Sequence, residues 1–454
     1  MTDTIAAIST PQAPGGIGIV RISGKKAIEI ADRVFKAADK ASLVDSDGYK
    51  AHYGYVVYEN EKIDEAVALI FRAPKSYTGE NVVELSCHGG LYIVKRVLRA
   101  VLENGARMAD AGEFTRRAFE NGKMSLTQAE SVMDIIGAQG EQAARAAMSA
   151  RSGKLAKRID ELKAEITQYS AHIAAWSDYP EEYLIPVDRK NLSAGISGCI
   201  AKVKKMISEG DAGRVMREGV DTVIVGKPNV GKSTLMNNLV GCERSIVTHI
   251  AGTTRDIVEE KVVLDDVILR LADTAGIHAT DDLVESIGVE RTMNRMENAG
   301  LVIAVFDNSV PLDDDDKKII KALKGRACVA VINKNDMNNM LDVDYIGQNI
   351  ENVVYISAKY DNGMDELSDK IASLLGVANL NPADGILSGE RQLSCSRKCL
   401  SMLEEAKEAL DIGMTLDAVN VSLDSAVAAL LELTGERVTD VVTDAVFHSF
   451  CVGK

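Results

Sequence analysis

Residues 226–233 read Gly226-Lys-Pro-Asn-Val-Gly231-Lys232-Ser233, with Lys-Ser directly after the second glycine. Glycine lets successive backbone N–H groups turn inward, and a helix starting at the lysine adds positive potential. This spacing therefore cradles phosphate oxygens. Lys232 is placed to reach the β- and γ-phosphates of a nucleoside triphosphate, and the Ser233 hydroxyl to bind Mg²⁺. A simple glycine turn would not need Lys-Ser at its end. Further groups follow in order. Gly252-Thr253-Thr254-Arg255-Asp256 forms a polar loop in which Thr254 is the candidate to complete the Mg²⁺ shell. Asp273-Thr274-Ala275-Gly276 closes a short apolar run. Asp273 would hold Mg²⁺ through water, and the Gly276 N–H would sense the γ-phosphate. Asn333-Lys334-Asn335-Asp336 ends another run. The Asp336 carboxylate can accept from the guanine N1–H and 2-amino group together. Adenine lacks that donor pair, so a buried unpaired carboxylate would penalise ATP. Ser357-Ala358-Lys359 completes the set, with the Ala358 N–H available to guanine O6. Taken singly, Asn335-Asp336 is a turn and Thr253-Thr254 a loop. Together and in this order they read as a guanine nucleotide site with magnesium.

The residue after Gly276 is Ile277, whose apolar side chain cannot orient water. Ras-type enzymes place a glutamine there. The catalytic group must come from elsewhere. Glu285, in Asp281-Asp-Leu-Val-Glu285, is an acidic candidate downstream. It also reads as an exposed carboxylate at a helix start.

Such loops need strands to present them. Val220–Val225, Val267–Leu271, Leu301–Phe306, Cys328–Ile332 and Val353–Ile356 are short apolar runs, suited to parallel strands buried on both faces. With the helical run Thr234–Leu239 they make residues 218–376 a Ras-like P-loop G domain of α/β class. The flanks differ in texture. Residues 121–217 are rich in Ala, Glu, Lys, Arg and Gln, with apolar positions three and four apart, and residues 377–454 return to that pattern. The economical arrangement inserts the α/β domain into a helical domain whose two arms pack together. Residues 1–120 mix strand patterns at 17–22, 66–71 and 82–86 with a helical pattern opened by Gly89-Gly90, which is an α+β domain.

The chain has 454 residues, 46% of them hydrophobic. At roughly 100–200 residues per domain that is about two to four domains. A net charge of −15 argues against a broad basic surface that grips nucleic acid unaided, and leaves room for a local basic patch or a basic partner. Seven cysteines (87, 199, 242, 328, 395, 399 and 451) form no CxxC pair and read as reduced thiols. Cys395 and Cys399 lack a nearby third ligand for a metal. No leader pattern opens the sequence, and no apolar run approaches the roughly 18 residues of a spanning helix. The expected location is cytoplasmic.

The whole chain resembles the MnmE (TrmE) family of bacterial tRNA-modification GTPases. The most specific pieces lie outside the G domain. They are Gly15-Gly-Ile-Gly-Ile-Val-Arg21-Ile-Ser-Gly24, Ser76-Tyr-Thr-Gly-Glu-Asn-Val-Val-Glu84-Leu-Ser-Cys-His-Gly-Gly90, Gly112-Glu-Phe-Thr-Arg-Arg-Ala-Phe-Glu-Asn-Gly-Lys123 and Phe450-Cys451-Val-Gly-Lys454. The resemblance implies a homodimer built through an N-terminal domain of tetrahydrofolate-binding type. It implies folate contacts at Arg21, Glu84, Lys123 and Lys454. The three cations could meet glutamate carboxylates or the pterin carbonyl, and Glu84 the pterin N–H donors. Read without the family, Arg21 and Glu84 are strand charges, and Lys123 and Lys454 solvated tips.

The resemblance further implies GTP hydrolysis promoted by potassium, with Asn229, Thr248, Ile250 and Thr253 as ion ligands. It sets Glu285 at the family's water-positioning glutamate. Val230, Thr234, His249, Ala251 and Gly252 join the implied nucleotide contacts. Three positions depart from the family pattern: His278 replaces a frequent Arg, His249 a common Asp, and Ala111 a usual Pro. The implied reaction adds an aminomethyl-type group to C5 of the wobble uridine of certain tRNAs, with its methylene from a folate. An FAD-dependent MnmG (GidA)-like partner would share the work in a heterotetramer. Cys451 reads as a nucleophile or as a buried or incidental thiol. The alternative from another class is an Era-like GTP-controlled switch for ribosome assembly. That alternative needs a basic RNA-binding module, which the sequence does not display.

Overall fold

The computed structural model describes residues 3–178, 188–241, 260–265, 267–271, 296 and 299–454. The chain divides into two compact units, one of Met1–Met133 with Leu431–Lys454 and one of Asp134–Leu430. The first opens with β1 (Ile5–Ile8), β2 (Ile17–Ser23), α1 (Ala27–Val34), β3 (Phe35–Ala37), β4 (Lys50–Tyr58), β5 (Glu61–Phe71), β6 (Val82–His88), α2 (Leu91–Glu103), β7 (Arg107–Met108) and α3 (Glu113–Glu120). Helix α4 (Leu126–Gly137) follows. The strands form one sheet in the order β3-β4-β5-β6-β2-β1-β7, antiparallel except where β1 meets β7.

Alternation along β2 sends Val20 and Ile22 into a core shared with Ile28, Val34, Val97 and Val101 of α1 and α2. Arg21 therefore stands on the opposite face. The register sets it directly across from Glu84 of β6. That second face is covered at Ile5 and Ala7 by Phe114 of α3. Strand β5 starts well before the expected residue 66. Its first half is charged and pairs with β4 through a tight turn at Glu59 and Asn60, both at positive φ (50° and 64°).

The second unit continues with α5 (Glu141–Arg151), α6 (Lys154–Asp178) and α7 (Arg189–Glu218). Then come β8 (Val220–Val225), α8 (Lys232–Gly241), β9 (Glu260–Leu264), β10 (Val267–Leu271), β11 (Leu301–Asp307), α9 (Asp314–Ala322), β12 (Cys328–Asn333), α10 (Val343–Asn349), β13 (Val353–Tyr355) and α11 (Met364–Leu374). Helices α12 (Glu390–Asp411) and α13 (Leu416–Thr434) follow, and α14 (Asp440–His448) belongs to the first unit. The second sheet runs β13-β12-β11-β8-β10-β9, parallel except for β9. Both faces of β11 are buried. Leu301, Ile303 and Val305 join one core, and Val302, Ala304 and Phe306 the other. That explains its unbroken apolar run. Because β8 has β10 on one side and β11 on the other, a crevice opens beyond its C-terminal end, where ligands of such sheets bind.

Helix α7 leads into this sheet, and α12 leaves it. They pack closely at Gly210, where an added Cβ would lie 2.8 Å from Leu393 Cδ2 and 2.9 Å from Leu387 Cβ. Below them Asp134 accepts from Arg217 Nη1 (2.8 Å) and Ser388 Oγ (2.5 Å), which joins the ends of both connections.

Candidate functional site

The phosphate-loop pattern sits at the C-terminal end of β8. Gly226 has φ +151°, and a Cβ there would come 2.4 Å from the Val305 carbonyl oxygen, so the loop needs glycine to lie on β11. Gly231, at φ +98°, faces the Asn333 side chain, and a Cβ would sit 2.2 Å from its Nδ2. Val230 is buried, while Asn229, Ser233 and Thr234 are exposed at the lip. The Lys232 amine donates to the carbonyls of Gly226 (3.0 Å) and Lys227 (2.6 Å), which holds it against its own loop.

Asn333 joins three segments. Its Nδ2 donates to the Val230 carbonyl (2.8 Å), and its Oδ1 accepts from the Ala358 N–H (2.9 Å). Asp336 accepts from Ser357 Oγ at 2.6 Å. Asn238 of α8 donates to the Ala358 carbonyl (2.6 Å). The phosphate loop, Asn333–Asp336 and Ser357–Lys359 thus form one continuous rim. Lys334 has a left-handed φ of +62°, and its amine meets Asp307 at 2.5 Å. Thr248, His249, Ile250, Ala251, Gly252, Thr253, Thr254, Asp273, Thr274, Ala275, Gly276, Ile277, His278 and Glu285 lie outside the described residues.

A second cluster occupies the face of the first sheet opposite the α1–α2 core. Arg21 Nε donates to Glu84 Oε1 (2.8 Å), and its Nη1 donates to the Gly453 carbonyl (3.1 Å). The same guanidinium lies 5.6 Å from the ring centres of both Tyr77 and Phe114. The C-terminal segment is stitched in by its backbone. Gly112 N–H donates to the Cys451 carbonyl (3.4 Å), Phe114 N–H to the Lys454 carbonyl (3.2 Å), and Ser9 Oγ to the Gly453 carbonyl (3.1 Å). Gly453 has φ +98°, and a Cβ would lie 2.3 Å from the Ile8 carbonyl oxygen. Burial, and next the Arg21 charge, hold the Lys454 amine below its ordinary value against the opposite pull of Glu84. Two cations thus face one carboxylate, a balance suited to an anionic ligand. Lys123 instead reaches the Pro74 carbonyl (3.0 Å), on the loop that carries Tyr77. Cys451 is exposed.

Comparison with known proteins matches residues 4–123 to the family described as the GTP-binding protein TrmE N-terminus. Residues 126–451 match the MnmE helical domain. A tRNA modification GTPase MnmE of Clostridioides difficile is 39% identical over 455 residues, covering 100% of this chain and 99% of the relative. Those of Geobacillus thermodenitrificans and Bacillus licheniformis are each 40% identical, covering 100% of this chain and 99% and 100% of theirs. The chain belongs to the MnmE family. Among solved structures, the G domain of the T. maritima FeoB iron transporter aligns over 34% of this chain and 98% of its own, at 23% identity and a TM-score of 0.26, which adds nothing to the assignment.

In this chain several contributors to both clusters carried no expectation from sequence. Tyr77 and Phe114 frame Arg21, yet each sits inside a motif quoted for the resemblance. Gly453 supplies a carbonyl, which no side-chain pattern announces. Arg117, 1% exposed, binds Asp3, Glu80 and Glu113 beneath the same face. Asp307, one residue past the expected strand Leu301–Phe306, carried no expectation. Among the described residues, no helix is long and apolar enough to cross a membrane.

Proposed function

We propose that this chain, a GTPase acting in tRNA modification like the relatives it matches, uses Asn229–Thr234, Asn333, Lys334, Asp336 and Ser357–Lys359 to bind GTP. The observation that carries the reading is Asn333, whose one side chain ties the phosphate loop to Ser357–Lys359. Loop N–H groups and Lys232 meet the phosphates, while Asp336 accepts from the guanine N1–H and 2-amino group. Ser233, with Thr254 and Asp273, would hold Mg²⁺. Asn229, with Thr248, Ile250 and Thr253, would hold K⁺. These ions supply positive charge that offsets the charge growing between the phosphates during hydrolysis. Glu285 would position the attacking water in place of Ile277.

The reading extends to the first unit, which we take to be of tetrahydrofolate-binding type and to dimerise. Arg21, Lys454 and Lys123 would meet folate carboxylates, and Glu84 the pterin N–H donors. The charge balance around Lys454 supports this. A folate held there would supply a one-carbon unit for C5 of the wobble uridine, with an FAD-dependent partner and the tRNA. The helical arms would then be one domain interrupted by the G domain, and the whole cytoplasmic. Full-length relatives matching end to end weigh against the ribosome-assembly alternative. Mass analysis of tRNA from a strain lacking the gene is the direct test. Loss of the modified wobble uridine is expected, and unchanged uridines would sink the reading. Purified protein should hydrolyse GTP and not ATP.

A further inference from the structure

The segment Asp307-Asn-Ser-Val-Pro-Leu-Asp-Asp-Asp-Asp316 belongs to none of the nucleotide motifs, yet it touches both ends of the site. At the base end, Asp307 pairs across the sheet with Asn333 and holds the Lys334 amine at 2.5 Å. Its Oδ1 also accepts from Ser309 Oγ (2.6 Å) and the Ser309 N–H (2.9 Å), which fixes the carboxylate's orientation. Asn308 grips the same loop by its backbone and side chain. Its N–H donates to the Asn333 carbonyl (2.9 Å), and its carbonyl accepts from the Met340 N–H (2.9 Å). Its Nδ2 donates to Asn339 Oδ1 (2.7 Å) and Asn335 Oδ1 (3.3 Å).

At the phosphate end, the Lys227 amine lies 2.7 Å from both Asp313 Oδ2 and Asp316 Oδ2. Asp313 and Asp316 are locked by a reciprocal capping box at the start of α9. Asp316 is buried. The carbonyl of this same Lys227 accepts from the Lys232 amine (2.6 Å).

We propose that residues 307–316 form a positioning brace for the nucleotide site, acting on guanine recognition through Asp307 and Lys334 and on the phosphate loop through Lys227. The inference rests on the reading of this rim as a guanine nucleotide site. The physical case is strain. A lysine at positive φ is strained and persists only where its surroundings over-determine it. Asp307 and Asn308 supply that restraint, and the turn they hold is the one that aims Asp336 towards Ser357. Without Asp307 the turn relaxes and Asp336 loses its aim at the base. Without the Lys227 anchor the carbonyl that seats Lys232 drifts, and every phosphorylated ligand suffers alike.

The test compares affinities of the full-length protein for GDP and for IDP, which lacks the 2-amino group. Asp336→Asn should collapse the preference for GDP, which checks the underlying site; if it does not, that reading fails. With that control in place, Asp307→Asn should cut the GDP-to-IDP ratio about tenfold. Lys227→Met should weaken GDP and IDP by the same factor and keep the ratio. Adding Asp307→Asn to Lys334→Met should cost nothing further, because Asp307 acts through that lysine. A purely structural role for Asp307 would lower both affinities together in Asp307→Asn and leave their ratio at the parent's value. The brace is overturned by an unchanged ratio in Asp307→Asn, by unchanged GDP affinity in Lys227→Met, or by additive losses in the double variant. Should Asp307→Asn fold poorly, Asn308→Ala reports on the same turn and should shift the ratio in the same direction.

Discussion

Two side chains show how much one residue can decide. Asn229 is exposed at the lip of the phosphate loop, at φ +62°, so its side chain is available to a ligand. If it is an ion ligand, Asn229→Ala should abolish potassium stimulation of GTP hydrolysis while GDP affinity stays near the parent's. An equal potassium response in mutant and parent would refute the role. Arg117 shows the opposite case, a charge removed from water. Its guanidinium is within 3.2 Å of carboxylate oxygens of Asp3, Glu80 and Glu113, and it also donates to the Asp3 carbonyl. Removing the guanidinium leaves the buried Glu113 with Arg107 alone and takes a partner from the partly buried Glu80, at a cost on the order of 3 kcal/mol, the low end for a broken buried pair. Arg117→Met should therefore lower the unfolding free energy of the first unit by that order, read by urea titration. A change within about 0.5 kcal/mol, typical of surface sites, would show that the cluster is not stabilising.

At the scale of elements, legibility followed solvation. The strands of the second sheet were readable because both of their faces are buried, so Val220–Val225 and Val267–Leu271 have the bounds their apolar runs suggest. Strand β4 and the start of β5 were not. Residues such as Lys50, Glu61 and Lys62 are exposed, and pairing across a hairpin, which no local pattern encodes, makes them strand. The long helical stretch from Glu141 contains a break that its one glycine marks: Gly153, at φ +88°, separates α5 from α6. The motif residues 229–234 and 333–336 stood out in the sequence because phosphate and base chemistry would restrict residue types, and the structure brings the two segments together through Asn333. The contacts that aim them, from Asp307, Asn308 and Lys227, were not, because an ion pair between distant positions leaves no spacing to read. The α7–α12 contact yields a prediction of its own. Gly210→Leu would force side-chain carbon into Leu387 and Leu393, and overpacking of this kind costs about 1–3 kcal/mol. A lower melting temperature is expected for that variant. Gly198→Ala, whose Cβ would meet nothing within 4 Å, should keep the parent's value or exceed it.

For the molecule as a whole, acid is the informative perturbation. Burial pushes the Glu113 carboxyl up, but hydrogen bonds from Arg107, the Asp110 N–H and Arg117 outweigh it and hold the group below its ordinary 4.5. Asp3 is likewise held below 3.8, chiefly by Arg107. Depressed carboxyls contribute stability that is complete above their unfolded values and disappears as pH falls through the folded ones. The first unit should therefore lose stability below about pH 4.5, and Glu113→Gln should flatten that dependence. Calorimetry between pH 3 and 7 would show whether the slope survives the substitution; an unaltered slope counts against these groups.

The seam that holds Gly453 beneath Arg21 joins positions 432 residues apart. At roughly 5–20 residues per second, a ribosome that has finished Arg21 needs on the order of 20–90 s to reach Gly453. Through that interval the sheet face around Ile5, Ala7 and Phe114 waits for its last segment, and contacts of such wide sequence separation form late. The surroundings of the guanidinium between Tyr77 and Phe114 are thus complete only once Gly453 has been made, and until then Arg21 lacks that carbonyl.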